Sequence, residues 1–156
     1  MKLLAKDRFA RLWIMLLFTS LSMVTVSAVV SAVQIGDEYD NDHRYLGGIA
    51  FYVDGTGKHG LVAAKSDFQG YMSWGEAKLA CENLVSNSYS DWFLPNKGQL
   101  YELYKQRTVV GGFADDNYWS STEGGADHAW TQYFGDGDQD WSGKSNLGRV
   151  RAVRAF

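Results

Sequence analysis

Apolar and β-prone residues run from Gly48 to Val53. The polar Asp54-Gly55-Thr56-Gly57 interrupts them, and a second apolar run from Gly60 to Ala64 follows, so the pattern predicts a β-hairpin. The period then lengthens. Trp74, Ala77, Cys81, Leu84 and Val85 recur at helical spacing behind Ser73, and Ser73 with Glu76 three residues on matches a capping box, in which serine and glutamate satisfy free backbone N–H groups reciprocally. This predicts a helix over 73–85 with Cys81 on its buried face. Past the only proline, Pro95, Asn96 and Gln99 repeat the capping pattern, and Leu100, Leu103 and Tyr104 give a second helix, weakened somewhat by Gly98. Beyond Gly111-Gly112 the pattern returns to strands over 117–122, 129–134 and 149–155. Strands, two helices and strands again predict an α+β domain with mostly antiparallel pairing.

Within 129–134, Trp130, Gln132 and Phe134 alternate with Thr131 and Tyr133. Size places Trp130 and Phe134 toward the core and Thr131 and Tyr133 toward solvent. After the following turn, Asp138, Asp140, Trp141, Ser142, Lys144, Ser145 and Asn146 extend a polar surface around one indole. An aromatic ring among hydrogen-bonding groups suits sugar or peptide recognition, because the ring covers apolar surface and the polar groups fix orientation. Trp141 has two readings, a ligand contact or a cover over the hairpin end. The ligand-binding candidates are therefore Thr131, Tyr133, Asp138, Asp140, Trp141, Ser142, Lys144 and Asn146.

The N-terminus changes the picture of where this domain works. Lys2, Lys6, Arg8 and Arg11 precede an apolar run from Leu12 to about Val30, and small residues end it at Val30-Ser31-Ala32. That three-part layout predicts a secretory signal over 1–32, cleaved after Ala32 or after Ala28, with export to the periplasm, cell surface or medium. An uncleaved membrane anchor is the alternative; Ser20, Ser22, Thr25 and Ser27 dilute the apolar run against it. Loss of residues 1–32 leaves a single domain over 33–156 with 11 Lys/Arg against 17 Asp/Glu. Such acidity argues against nucleic acid as a partner. An anionic polysaccharide would need a local basic patch, for which Lys144, Arg149, Arg151 and Arg154 form the only cluster in sequence.

Catalytic motifs do not emerge. The three histidines, His43, His59 and His128, stand outside recognisable contexts, and no Gly-x-Ser-x-Gly elbow, His-Glu-x-x-His pair or phosphate-cradling glycine loop occurs. The expectation is a protein without enzymatic activity, cofactor or metal, although carboxylates brought together by folding could form an acid/base pair. Asp136-Gly137-Asp138-Gln139-Asp140 opens like a calcium loop, but Trp141 and Leu147 occupy the positions where an EF-hand requires glycine and glutamate. It reads as a hairpin turn with solvated acids or as a calcium site of another geometry. Cys81 is the sole cysteine, so no intrachain disulfide forms, and its helical position makes it a small core residue.

The ordered set Ile35-Gly-Asp, Gly47-Gly-Ile-Ala-Phe-Tyr-Val53, His59-Gly-Leu-Val-Ala-Ala64, Asp91-Trp-Phe-Leu-Pro95, Tyr118-Trp-Ser-Ser-Thr-Glu123, Ala129-Trp130 and Val150-Arg-Ala-Val-Arg154 resembles the Lcl C-terminal domain family over nearly all of 33–156. The resemblance implies a C-type-lectin-like fold in exported bacterial proteins, including adhesin domains implicated in binding sulfated polysaccharides. Some relatives diversify their C-terminal segment through retroelements, which here corresponds to about 131–147. Relatives often carry a cysteine where Ala152 stands, suited to pairing with one at the position of Cys81. The calcium-binding Glu-Pro-Asn and Trp-Asn-Asp signatures of sugar-binding C-type lectins are absent, and the copper-binding cysteine pair of formylglycine-generating enzymes has no counterpart. The resemblance therefore implies an exported adhesion or ligand-binding module for an extracellular glycan or protein. A structural or assembly subunit of the cell envelope is the alternative.

Overall fold

A computed structural model of the chain describes residues 32–40 and 45–156. The expected signal segment, apart from Ala32, and His43 lie outside the described residues. Among those described, no helix is long and apolar enough to cross a membrane.

The first hairpin forms as its pattern requires. Strand β1 (Ile49–Val53) pairs antiparallel with β2 (Gly60–Ala63), and β2 pairs with the short β6 (Val153–Ala155) to complete one sheet. A second sheet runs in the order β3 (Asn117–Glu123), β4 (His128–Tyr133), β5 (Gln139–Gly143), also antiparallel. Between the sheets in sequence lie α1 (Trp74–Glu82), α2 (Lys97–Lys105) and a single-turn α3 (Arg107–Val110). The α+β class and the antiparallel pairing are as the sequence predicts.

Both helix starts are set by their capping residues. At α1, the backbone N–H and hydroxyl of Ser73 both donate to Glu76 Oε2, at 2.9 and 2.7 Å. At α2, Asn96 Oδ1 accepts from the Gln99 N–H at 2.9 Å and the Asn96 N–H donates to Gln99 Oε1 at 2.9 Å, a reciprocal box. α1 stops at Glu82, with Asn83 as its C-cap, rather than running to residue 85. Val85 lies beyond this cap, off the helical face, and is 73% exposed, and the chain then turns through Asn87 and Ser88, both at positive φ.

Two buried clusters hold the sheets and helices together. Ala50, Val62, Trp119 and Ala152 join the first, and their chain neighbours Phe51, Ala63, Tyr118 and Val153 join the second. Successive strand residues point to opposite faces, so these strands are buried on both. α1 supplies Ala77 and Cys81 to the first cluster, and α2 supplies Leu100 and Leu103 to the second. Cys81 and Ala152 thus share one apolar cluster, where burial pushes the thiol pKa up to about 12.

The last predicted strand is shorter than the sequence suggests. Arg149 sits beside Tyr118 of the second sheet, whereas Val153–Ala155 pair with β2 of the first. A segment that crosses from one sheet to the other cannot remain one regular strand.

Candidate functional site

The polar segment after β4 closes a hairpin onto β5. Gly137 adopts φ +98°, and a Cβ there would stand 2.6 Å from the Tyr104 ring, so only glycine fits beneath α2 at this turn. The Gly137 N–H donates to the Tyr133 carbonyl at 2.9 Å, and the Tyr133 N–H to the Asp138 carbonyl at 2.8 Å. Asp136 accepts from the Asp138 N–H at 3.0 Å. The acidic run is therefore a turn whose first carboxylate holds the backbone. Among the described residues no group of three His, Cys, Asp or Glu side chains converges to hold a metal ion.

Register decides which side chains share a face. Trp130 lies directly opposite Trp141, Thr131 opposite Asp140 and Ala129 opposite Ser142. Opposite residues project to the same side of a sheet, so Trp130 and Trp141 form one surface while Thr131, Asp140 and Ser142 belong to the other. The indoles lie nearly parallel, at 22° with centroids 6.3 Å apart, and Trp141 is 59% exposed. His128 stands 5.9 Å from Trp141 on the same face. From the first turn of α2, the Lys97 ammonium lies 3.0 Å from the Trp130 ring centre, a cation held against the electron-rich face of the indole. The Lys97 carbonyl accepts from Gln139 Nε2 at 3.0 Å, which fastens the helix start to β5.

This arrangement corrects the inward and outward assignment of β4. Trp130 is only partly buried and faces the indole platform, whereas Thr131, expected outward, is 5% exposed and donates its hydroxyl to the Asp140 carbonyl at 3.1 Å. The reason is Trp119, buried directly opposite Thr131 and filling that face, which leaves room only for Ala129 and Thr131 beside it. Gln132 is buried as well, its amide donating to the Gly137 and Asp138 carbonyls. Simple alternation fails because both faces of mid-β4 are covered.

The remaining candidates divide. Tyr133 is half-buried, its ring lying against Gly135. Asp138 and Asp140 are exposed. Ser142 accepts from Asn146 Nδ2 at 2.9 Å on the face away from Trp141. Lys144 is tied to Glu123 and to the carbonyls of Gly125 and Ala126, and its ammonium lies 4.6 Å from the Trp74 ring centre. It braces the β3–β4 loop rather than offering a free cation. That hydrogen bond and charge hold the Glu123 carboxyl below its ordinary pKa.

The cluster of cations near the C-terminus forms no basic patch. Arg149 Nε donates to Asp116 at 3.0 Å, Arg151 Nε to Asp67 at 2.6 Å, and Arg154 engages both oxygens of Asp91 at 2.8 and 2.9 Å. Arg151 and Arg154 are buried. Their partners lie 84 and 63 residues away in sequence, so their neutralisation was invisible in the local pattern.

Sequence reasoning missed Lys97, His128 and Trp130 as members of the platform. Counting outward from a turn centred on Gly135–Asp136 would have placed residue 130 against 141 and indicated the indole pair. His128 does meet a carboxylate, Asp127 Oδ1 at 3.1 Å, but both side chains are exposed at the surface, 48% and 85%, rather than enclosed in a cleft. Elsewhere, a cleft of about 280 Å³ opens between Tyr45, Lys65, Asp67 and Asn87. Its Lys65 is engaged by Glu38 and its Asp67 by Arg151 and Tyr118.

A search of curated proteins found no matching relative. The family model for the Lcl C-terminal domain matches residues 57–154, more than half of the chain, and spans α1, α2 and the whole indole-bearing hairpin. The chain belongs to the Lcl C-terminal domain family.

Proposed function

We propose that this protein is an exported ligand-binding or adhesion module, without catalytic activity, that recognises an extracellular glycan or protein through the surface built on β4 and β5. The observation that carries this reading is the exposed Trp141 indole set nearly parallel to Trp130, with Lys97 and His128 beside them. Paired ring faces offer apolar contact area at low conformational cost, and the flanking ammonium and imidazole supply orientation. Two short strands, a glycine-dependent turn and the capped start of α2 hold this surface in place before any ligand arrives.

Glycan and protein arrays probed with the secreted chain test the reading. Trp130→Ala with Trp141→Ala is expected to weaken the captured ligand at least tenfold, about 1.4 kcal/mol. Circular dichroism should show the fold retained. Binding unchanged by the double substitution would reject this surface as the contact site.

A further inference from the structure

The open edge of β5 has backbone chemistry suited to an incoming strand. β5 is hydrogen-bonded only to β4, so its other side is a sheet edge. The Asp140 carbonyl accepts from Thr131 on β4, and the Asp138 carbonyl accepts from the Tyr133 N–H, so residues 138 and 140 direct their backbone polar groups inward. Backbone groups alternate along a strand, and Trp141 therefore directs its N–H and C=O outward. One further contact agrees. The Trp141 N–H donates to the carboxylate of its own neighbour, Asp140 Oδ1, at 2.8 Å instead of to β4. By the same alternation the Gly143 N–H faces this edge, although the Gly143 carbonyl already accepts from the Asn146 N–H at 2.8 Å, so the open stretch is centred on Trp141.

We infer that this edge accepts an extended, basic peptide segment as an added strand, with Asp140 acting as a displaceable guard. The inference rests on the reading of the β4–β5 surface as ligand-contacting, and it specifies the ligand as a peptide backbone. An incoming carbonyl replaces Asp140 Oδ1 on the Trp141 N–H, which frees that carboxylate to pair with a lysine or arginine of the same peptide. No hydrogen bond is left unmade in the exchange. Charge selects the partner. Asp138 and Asp140 are exposed without a cationic partner among the described residues, and the exposed Trp141 indole, unlike Trp130 whose ring already carries the Lys97 ammonium, offers a second cation-attracting surface on the opposite face of the edge. A basic side chain therefore finds a complementary group on whichever face it projects. Backbone pairing supplies affinity and alternate side chains supply selectivity, as in other strand-addition complexes.

The probe is a capped ten-residue peptide of alternating lysine and threonine, titrated calorimetrically into the full chain. Two relatives of it serve as comparisons, one with the same side chains but methylated at every backbone nitrogen, the other with glutamate in place of lysine. The unmodified peptide should bind, and amide hydrogen exchange at Trp141 and Gly143 should slow at least tenfold on its addition. Methylation should weaken binding at least tenfold, and the glutamate peptide should not bind detectably. Equal binding of the methylated peptide, unaltered exchange at both amides, or equal binding of the glutamate peptide would overturn the inference. If Trp130→Ala with Trp141→Ala abolishes array ligands while the lysine peptide protects neither amide, strand addition fails and the contact surface stands. If array ligands are unaffected by that double substitution and the peptide still protects both amides, strand addition stands without the indoles.

Discussion

Arg151 shows how much depends on one buried side chain. Its guanidinium donates to Asp67, to the Ala64 carbonyl at 2.9 Å and to the Gly112 carbonyl at 2.9 Å, and it lies 4.0 Å from the Phe113 ring centre. Asp67 also accepts from the Tyr118 hydroxyl at 2.6 Å, and burial, with this bond adding to it, raises the tyrosine pKa. Arg151→Met would leave the Ala64 and Gly112 carbonyls without this donor and the largely buried Asp67 carboxylate without its cation, with only the Tyr118 hydroxyl still donating to it. The expected loss is about 3–5 kcal/mol in urea unfolding. Arg154 makes a useful contrast. It is similarly buried, but its partner Asp91 is 57% exposed and would be rehydrated, so Arg154→Met should cost less, about 1–3 kcal/mol. Equal losses for the two substitutions would show that exposure of the carboxylate does not set the difference.

At the level of elements, α2 connects stability to the platform. Its first turn carries Lys97 onto Trp130, and its N-terminus is closed by the Asn96–Gln99 box. Asn96→Ala removes one arm of that box and should cost about 1 kcal/mol, measured by urea unfolding. Asn96→Asp, which preserves the accepting oxygen, should cost much less. These helix starts were legible in sequence because a capping box is local, two polar residues three apart before an apolar stripe. The first hairpin was legible for the same reason. β5 was not, since Gln139-Asp140-Trp141-Ser142-Gly143 has one large apolar residue and exists as a strand because β4 pairs with it. Nor could composition alone orient Trp130. The buried Trp119 opposite Thr131 decides that, and the register between β3 and β4 includes an irregularity that local reading does not reveal. One of the four platform residues was thus visible as Trp141, while Trp130 and His128 required the strand pairing and Lys97 required the docking of α2.

Over the whole molecule, the C-terminal cations bind distant carboxylates and hold the last segment against the rest of the fold. Lys144, Arg149, Arg151 and Arg154 reach Glu123, Asp116, Asp67 and Asp91. For Asp116, burial pushes the pKa up, but the Tyr71 hydroxyl, the Asn117 N–H and Arg149 outweigh it and the result lies below the ordinary value. The Arg154 hydrogen bond lowers Asp91, against an opposing effect of burial, and Lys144 lowers Glu123. A carboxyl depressed by folding releases its proton more readily in the native state than in the unfolded chain. Its stabilisation is therefore complete above the unfolded values near ~4 and is lost as pH falls through the lower folded values. The melting temperature should consequently change little through these groups between about pH 7 and 5 and drop below about pH 4. Arg149→Met isolates one contribution. It removes one charge partner of Asp116 while leaving the Tyr71 hydroxyl in place, so the variant should start less stable at neutral pH and lose less on acidification. A melting curve for this variant that stays parallel to the parent down to pH 2 would show that the Arg149–Asp116 pair contributes nothing to acid unfolding. Convergence of the two curves at low pH would measure what the pair contributes, because once Asp116 is protonated in both proteins the charge interaction separating them is gone.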